Sequence, residues 1–310
     1  MRIACIGECM IELSQLDLAA RAARAGFAGD TANTAIYLAR LGQQVSYVTN
    51  LGQDGLSDQI IAGLAAEGID CSLIGRHPTR LPGLYAIETD PFGERSFRYW
   101  RDGSAARTLF DGVGATWGDL DAFDVIYLSG ITLAILPEAA RAALTRKLGA
   151  LRTTGTQIVF DSNYRPRLWQ DAPTARAACD ALWAVTSIGL PSLDDEIMLA
   201  GHTTAAEVLT RIVALGVPEV VLKRGAAGPV LWRDGPVSLP DMPAPTHVVD
   251  TSGAGDSFNA GYLAARLSGA DPVAAAQAGH AIALRVIAVH GAVIPVQAMP
   301  GPILTDASAG

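Results

Sequence analysis

Asp250-Thr251-Ser252-Gly253-Ala254-Gly255-Asp256-Ser257 stands between an apolar run, Thr246-His247-Val248-Val249, and a small-and-apolar segment from Phe258 to Leu267. The run reads as a strand and the segment as a helix. A Gly-Ala-Gly turn at a helix start exposes several backbone N–H groups, which can hold a phosphate or a developing oxyanion. Asp256 falls at that same turn. A carboxylate beside an anion hole fits an enzyme that positions a hydroxyl against a phosphoryl group. The competing reading is an ordinary Gly-rich loop that caps a helix; Asp250 and Asp256, at fixed ends of the turn, favour the phosphate site.

The same strand–turn–helix order recurs outward from this stretch. Arg2 to Ile6 reads as a buried first strand. Asp30 to Leu41 carries Ala32, Ala35, Ile36, Leu38 and Ala39 on helical spacing and is stopped by Gly42. Val45 to Thr49 is a strand and Asp58 to Glu67 a helix. Strands follow at 125–128, 157–160, 184–188 and 220–223, with helices at 137–148, 175–183 and 194–199. Residues 228–248 hold short strands and turns, and 256–290 two Ala-rich helices. This alternation predicts a doubly wound, mostly parallel α/β sheet. Residues 71–110 differ. Leu84-Tyr85-Ala86-Ile87-Glu88 and Ser96-Phe97-Arg98-Tyr99-Trp100 alternate around a hairpin-like turn at Asp90-Pro91-Phe92-Gly93-Glu94, which predicts a small antiparallel sheet outside the main body.

The whole chain narrows the function classes. Its 310 residues are half hydrophobic, with 32 glycines and a net charge of −8. The acidic balance argues against a nucleic-acid partner. Lys147 and Lys223 are the only lysines, and neither belongs to a G-x-x-x-x-G-K-S/T loop, which excludes a P-loop ATPase. No G-x-G-x-x-G turn follows the first strand, against a nicotinamide dehydrogenase. Cys5, Cys9, Cys71 and Cys179 form no C-x-x-C pair, and His77, His202, His247, His280 and His290 are scattered, so neither set has zinc-site spacing. Free cysteines in apolar surroundings, no signal-peptide pattern and no membrane-length apolar run give the expectation of a cytoplasmic protein.

In such a sheet, ligands lie beyond the C-terminal ends of the strands. Glu8, then Asp161, Asn163 and Arg165, then Ser192 and Asp195, then Lys223 and Gly225, and finally Asp250 to Asp256 all fall there. Asp30 either caps the first helix or, with Asn33 three residues on, points into a cleft and binds the hydroxyls of a polyol. Gly29 lets that backbone approach closely. Arg101 and Arg165 over one cleft imply an anionic substrate, because guanidinium groups offer paired donors to a planar carboxylate. At a helix N-terminus, Asp256 is expected to have a lowered pKa if the dipole dominates.

These residues together resemble the ribokinase, or PfkB, family of carbohydrate kinases. Asp250 to Asp256 matches its C-terminal signature in full. Gly29-Asp30-Thr31-Ala32-Asn33-Thr34-Ala35 with Ala39-Arg40-Leu41-Gly42, then Gly52-Gln53-Asp54-Gly55, resembles its N-terminal one, with Ala28 in place of the first glycine of the usual pair. The resemblance spans residues 2 to about 296. Within the family the closest likeness is to kinases of 2-keto-3-deoxygluconate, through Gly7-Glu8, Tyr99-Trp100-Arg101 with Ser104-Ala105-Ala106, Leu128-Ser129-Gly130-Ile131, Asp161-Ser162-Asn163-Tyr164-Arg165 and Pro191-Ser192-Leu193-Asp194-Asp195-Glu196.

The resemblance implies a three-layer αβα ribokinase-like fold with a small β lid. The main domain would comprise residues 1–8, 28–70 and 111–300, the lid 9–27 and 71–110, and the tail 301–310. It implies ATP and Mg2+, with a monovalent cation such as K+ beside the anion hole in many relatives. Asp256 would be the catalytic base, with Gly253, Ala254 and Gly255 as the anion hole. Gly29, Asp30, Asn33, Tyr85, Tyr99, Arg101 and Arg165 would line the sugar site. Ser192, Lys223, Gly225, Gly228 and Thr251 would border the nucleotide. Ser192 and Asp195 replace the family's frequent Asn-x-x-Glu pair, so Asp195 is the indirect candidate for the magnesium. A dimer through the lid is expected. A neutral-sugar kinase of the same fold and a non-catalytic sugar- or nucleotide-binding regulator are the alternatives.

Overall fold

The computed structural model describes residues 1–17, 20–89, 95–201 and 204–299. The strands among them are β1 (Arg2–Ile6), β2 (Met10–Asp17), β3 (Ala22–Ala28), β4 (Gln44–Gly52), β5 (Ile74–His77), β6 (Leu84–Thr89), β7 (Arg95–Trp100), β8 (Val125–Ser129), β9 (Gln157–Asp161), β10 (Ile188–Gly189), β11 (Glu219–Leu222), β12 (Val230–Arg233) and β13 (Pro236–Val237). The helices are α1 (Asp30–Arg40), α2 (Gly55–Ala66), α3 (Gly130–Ile135), α4 (Glu138–Thr153), α5 (Ala172–Trp183), α6 (Leu193–Ala200), α7 (Ala205–Ala214), α8 (Ala254–Leu267) and α9 (Pro272–Val286).

Nine strands form one sheet in the order β13-β12-β11-β10-β9-β8-β1-β4-β5. Pairing is parallel from β5 to β11, and β12 and β13 close the edge antiparallel. The core sits on both faces of this sheet. Ile3 and Cys5 of β1 point to the face covered by α1, α2, α8 and α9; Ala4 and Ile6 point to the face covered by α3 to α7. Burial on both sides explains why these strands read as continuous apolar runs. Phe160 meets the fully buried Trp183 edge-on at 4.5 Å between centroids, tying β9 to α5.

From β1 the chain winds one way through β4 and β5, then returns to wind the other way from β8. The order therefore reverses between β1 and β8, and a crevice at such a switch point is where an open α/β sheet holds its ligand. The second sheet has four strands in the order β3-β2-β6-β7. One of its faces gathers Met10, Ala28 and Tyr85 with Ile87 and Phe97.

The structure corrects three sequence expectations. Ile74–His77 falls within the stretch read as small sheet, yet it pairs in parallel with β4 and is the edge of the large one. The strand read at 184–188 begins only at Ile188, because Ala184 to Thr186 continue the turn that ends α5. Thr246–Val249 forms no strand. The N–H groups of Val249 and Asp250 instead both donate to the carbonyl of Ile287, after α9. The turn read at 90–94, the tail read from residue 304 and His202 lie outside the described residues. Among the described residues no helix is long and apolar enough to cross a membrane.

Candidate active site

Gly253 is the N-cap of α8 and holds the left-handed conformation, φ 72 and ψ 1. A Cβ there would lie 2.4 Å from the carbonyl oxygen of Ala292, so only glycine fits the backbone angle and the contact together. The N–H of Ala254 bonds to the carbonyl of Thr251. Those of Gly255 and Asp256, next in the first turn, have no intrahelical acceptor by helix geometry. Asp250 braces the turn from below: its Oδ1 accepts from Ser252 N at 3.0 Å and its Oδ2 from Gly291 N at 2.7 Å.

Asp256 is the third residue of α8, which starts at Ala254, four residues before the Phe258 at which the sequence reading began the helix. Asn33, from the first turn of α1, donates to its Oδ2 at 2.8 Å. Thr34 Oγ1 reaches its carbonyl at 3.3 Å. Asp30 does not cap α1; the N-cap is Gly29, whose Cβ position is filled by the Glu8 carbonyl. Asp30 instead accepts from Asn163 Nδ2 at 2.7 Å, and Asn163 is held at a positive φ of 29 by the loop after β9. Three separately predicted groups thus meet, from the start of α1, the loop after β9 and the first turn of α8.

Burial raises the pKa of Asp256 to about 7, with the charges of Asp30 and Asp161 pushing the same way; Asn33 and Lys223 oppose them. This corrects the lowered pKa expected from the helix dipole. The removal of water from the carboxylate and the company of two others outweigh the field of one helix end.

Behind Asp256 lies a buried polar network that sequence reading did not find. Lys223 Nζ donates to Asp161 Oδ2 at 2.7 Å and to Asn259 Oδ1 at 2.8 Å. Asn259 donates to Asp161 at 2.7 Å and to the Tyr127 hydroxyl at 3.0 Å, and Thr34 reaches that hydroxyl at 3.3 Å. Five elements supply these groups, so no local motif announces them. Lys223 lines the cavity beside this turn, and its ammonium is engaged by Asp161 and Asn259.

That cavity, about 360 Å³, runs from the start of α8 toward α9. Ser192, Lys223, Gly225, Thr251, Ala254 and Gly255 line its polar end. Phe258, Ala283, Leu284 and Ile287 make its apolar wall, with His280 anchored by the Pro243 carbonyl at 2.8 Å. Gly228 is not in the lining; it sits against Met242.

The arginines are both held by carboxylates. Arg101, at the end of β7, is buried and bonds through Nη2 to Glu8 Oε2, while Ser104 donates to Glu8 Oε1. Its Nε is buried and has no hydrogen-bond partner among the described residues. Arg165 is half exposed and bonds to Asp195 Oδ1 at 3.1 Å. Asp195, read as the indirect magnesium residue, therefore faces Arg165, and burial lifts its pKa to about 6. Tyr85 is buried and donates to Glu12; Tyr99 is 47 % exposed, stacked on Phe97, with the Arg101 guanidinium 5.8 Å from its centroid.

Comparison with known proteins agrees with this geometry. The profile of the pfkB family carbohydrate kinases matches residues 1–299. A 2-dehydro-3-deoxygluconokinase of Dickeya dadantii is 48 % identical over 309 residues, covering 96 % of this chain and 98 % of the relative. One from Escherichia coli K12 is 44 % identical over 308 residues, covering 96 % and 99 %. The crystal structure of a PfkB protein from Polaromonas sp. JS666 superposes with a TM-score of 0.81 at 30 % identity, covering 92 % and 95 %. With the signature turn, the switch-point crevice and the adjoining cavity, these matches establish that the chain belongs to the pfkB family of carbohydrate kinases.

Proposed function

We propose that this chain transfers the γ-phosphoryl group of ATP to the terminal hydroxyl of 2-keto-3-deoxygluconate, giving the 6-phosphate and ADP. The carrying observation is the place of Asp256. Its carboxylate is aimed by Asn33, beside Asp30 and Asn163, at the mouth of the α8 turn that ends the apolar cavity. A sugar hydroxyl bound by Asp30 and Asn33 would lie between this base and a phosphate at the turn. A base with a pKa of about 7 is half ionised at neutral pH, where proton acceptance is efficient. The loose transition state of phosphoryl transfer needs mainly alignment and charge stabilisation, which the N–H groups of Gly255 and Asp256 supply.

The apolar wall of Phe258, Leu284 and Ile287 fits a nucleotide base, and the polar end fits its phosphates. Among the described residues no cluster of three or more His, Cys, Asp or Glu could hold a metal. Magnesium would accordingly be carried by the phosphates, where it neutralises their charge, with Ser192 the adjoining protein hydroxyl.

An acidic sugar is favoured by Arg101, whose buried Nε has no hydrogen-bond partner among the described residues, and by Arg165. The two relatives described above are named for this substrate. An ADP-release assay with 2-keto-3-deoxygluconate, fructose and ribose tests the reading. Turnover should be fastest on the acid, and Arg165→Ala should raise KM for it by about tenfold or more, the worth of a charge-assisted hydrogen bond. A faster rate on a neutral sugar would replace the substrate, and no ADP release from any sugar would leave a binding protein.

The four-stranded sheet is our candidate lid, closing over the sugar to exclude water. Its exposed Tyr99 and Trp100 suit a dimer contact, which sedimentation velocity decides. The buried free thiols of Cys5, Cys9 and Cys179 suit a reducing cytoplasm.

A further inference from the structure

Residues 291–294 form a strap across the back of the anion cradle. On one side the strap meets the signature turn. Gly291 N donates to Asp250, and the Ala292 backbone occupies the space where a Gly253 side chain would be. On the other side it meets α1. The Tyr37 hydroxyl donates to the Ala292 carbonyl at 2.8 Å and accepts from Ile294 N at 3.1 Å. Arg40 Nη1 donates to the Ile294 carbonyl at 2.6 Å, its guanidinium fixed by two further bonds to Glu67.

Tyr37 lies four residues after Asn33, so both side chains leave the same face of α1. Asn33 reaches the base and Tyr37 reaches the strap. One rigid helix thus sets both the hydroxyl side of the site and the backbone on which the phosphate side rests. Tyr37 is fully buried, and that burial pushes its phenol up to about 12, so it keeps its proton and can donate throughout the neutral range.

We propose that Tyr37 is a positioning residue for phosphoryl transfer, fixing the 291–294 strap against Gly253 and so the cradle against the sugar hydroxyl. The proposal rests on the family's kinase reaction and not on which sugar is used. A packing role alone would be met by phenylalanine, which fills the same volume but leaves the Ala292 carbonyl and the Ile294 N–H without this partner.

The test is Tyr37→Phe, with kcat, the calorimetric Kd for ADP and for the sugar, and Tm measured together. A cradle displaced by a fraction of an ångström should lower kcat by about tenfold or more, since alignment errors act on the transferring group. ADP lacks that group, and Asp30 and Asn33 are untouched, so both Kd values should stay within about twofold. Unchanged kcat with a lowered Tm would overturn the proposal, leaving Tyr37 a packing residue. A loss of ADP affinity equal to the loss of kcat would also overturn it. Should Tyr37→Phe fold poorly, Arg40→Lys keeps a cation facing Glu67 but gives up the guanidinium bond to Ile294. It should lower kcat in the same sense by a smaller factor, and normal kcat in that variant would count against the strap.

Discussion

Asn33 and Asp256 are 223 residues apart in the chain, and Asn33 Nδ2 lies 2.8 Å from Asp256 Oδ2. A hydrogen bond given to a carboxylate favours its charged form. Here that effect loses to burial and to the charges of Asp30 and Asp161, which leave the group at about 7. The bond therefore aims the base without making it a strong acid. Aim and basicity are set by different neighbours, so they can be altered separately.

Asp30→Asn should separate them. Removing this negative neighbour lowers the pKa of Asp256, so its carboxylate forms at lower pH. The rising limb of kcat/KM, expected near pH 7 in the parent, should move toward acid, while the maximal rate falls because a sugar contact is lost. A pH–rate series on both proteins reads the shift. A limb that stays put, or moves to higher pH, would remove Asp256 as the titrating group.

Asp256→Asn should cut turnover by about 10²–10⁴, the usual worth of a general base, with ATP binding retained. It should also stabilise the fold at alkaline pH. Because the folded pKa is raised, the stabilising effect of the protonated group is complete below the ordinary carboxylate range. It is lost as pH climbs through about 7. The amide does not titrate, so the variant's Tm should gain on the parent's between pH 5 and pH 8. A thermal-melt series over that range checks the sign, and a variant that loses ground with rising pH contradicts it.

Lys223→Met tests the network beneath. The ammonium and Asp161 are both buried, so removing one leaves the other charge unpaired, at roughly 3–5 kcal/mol of destabilisation. Urea unfolding measures it. Lys223 also holds the pKa of Asp256 down, so the limb of kcat/KM should move to higher pH, opposite to Asp30→Asn. Two variants that shift the limb in the same direction would be inconsistent with this charge arrangement.

The parts of this molecule that were legible in its sequence are those whose cause is local. Gly253 requires its own backbone angle, and Asp30 to Arg40 show their helical period within one segment. The strands of the large sheet are apolar because helices cover both faces. What was hidden depends on distant partners. Ile74–His77 lies in the stretch read as small sheet, and only its parallel pairing with β4 assigns it to the large one. Thr246–Val249 has strand composition, but its backbone bonds go to Ile287. Tyr127, Asn259 and Tyr37 read as single polar residues on apolar elements; the groups they join come from five or more segments. The direction of the Asp256 pKa was misread because the helix end is visible in sequence and the burial is not.

Gly253→Ala addresses the cradle itself. The added methyl carries two penalties. The left-handed backbone disfavours any side chain by about 1–2 kcal/mol. The Ala292 carbonyl, 2.4 Å from the new carbon, must also move or push the turn away. Gly269 provides the control: it has φ 92 at the end of α8, with nothing within 4 Å of a new Cβ. Gly269→Ala should lose about 1 kcal/mol of stability and keep its turnover. Gly253→Ala should lose somewhat more stability and at least about 100-fold in kcat, because a donor displaced from the transferring phosphoryl forfeits most of its stabilising effect. Steady-state kinetics with urea unfolding on the pair makes the comparison. Equal turnover in the two variants would mean that the close approach of Ala292 to the turn has no part in holding the γ-phosphate, and that the cradle tolerates displacement that the geometry forbids.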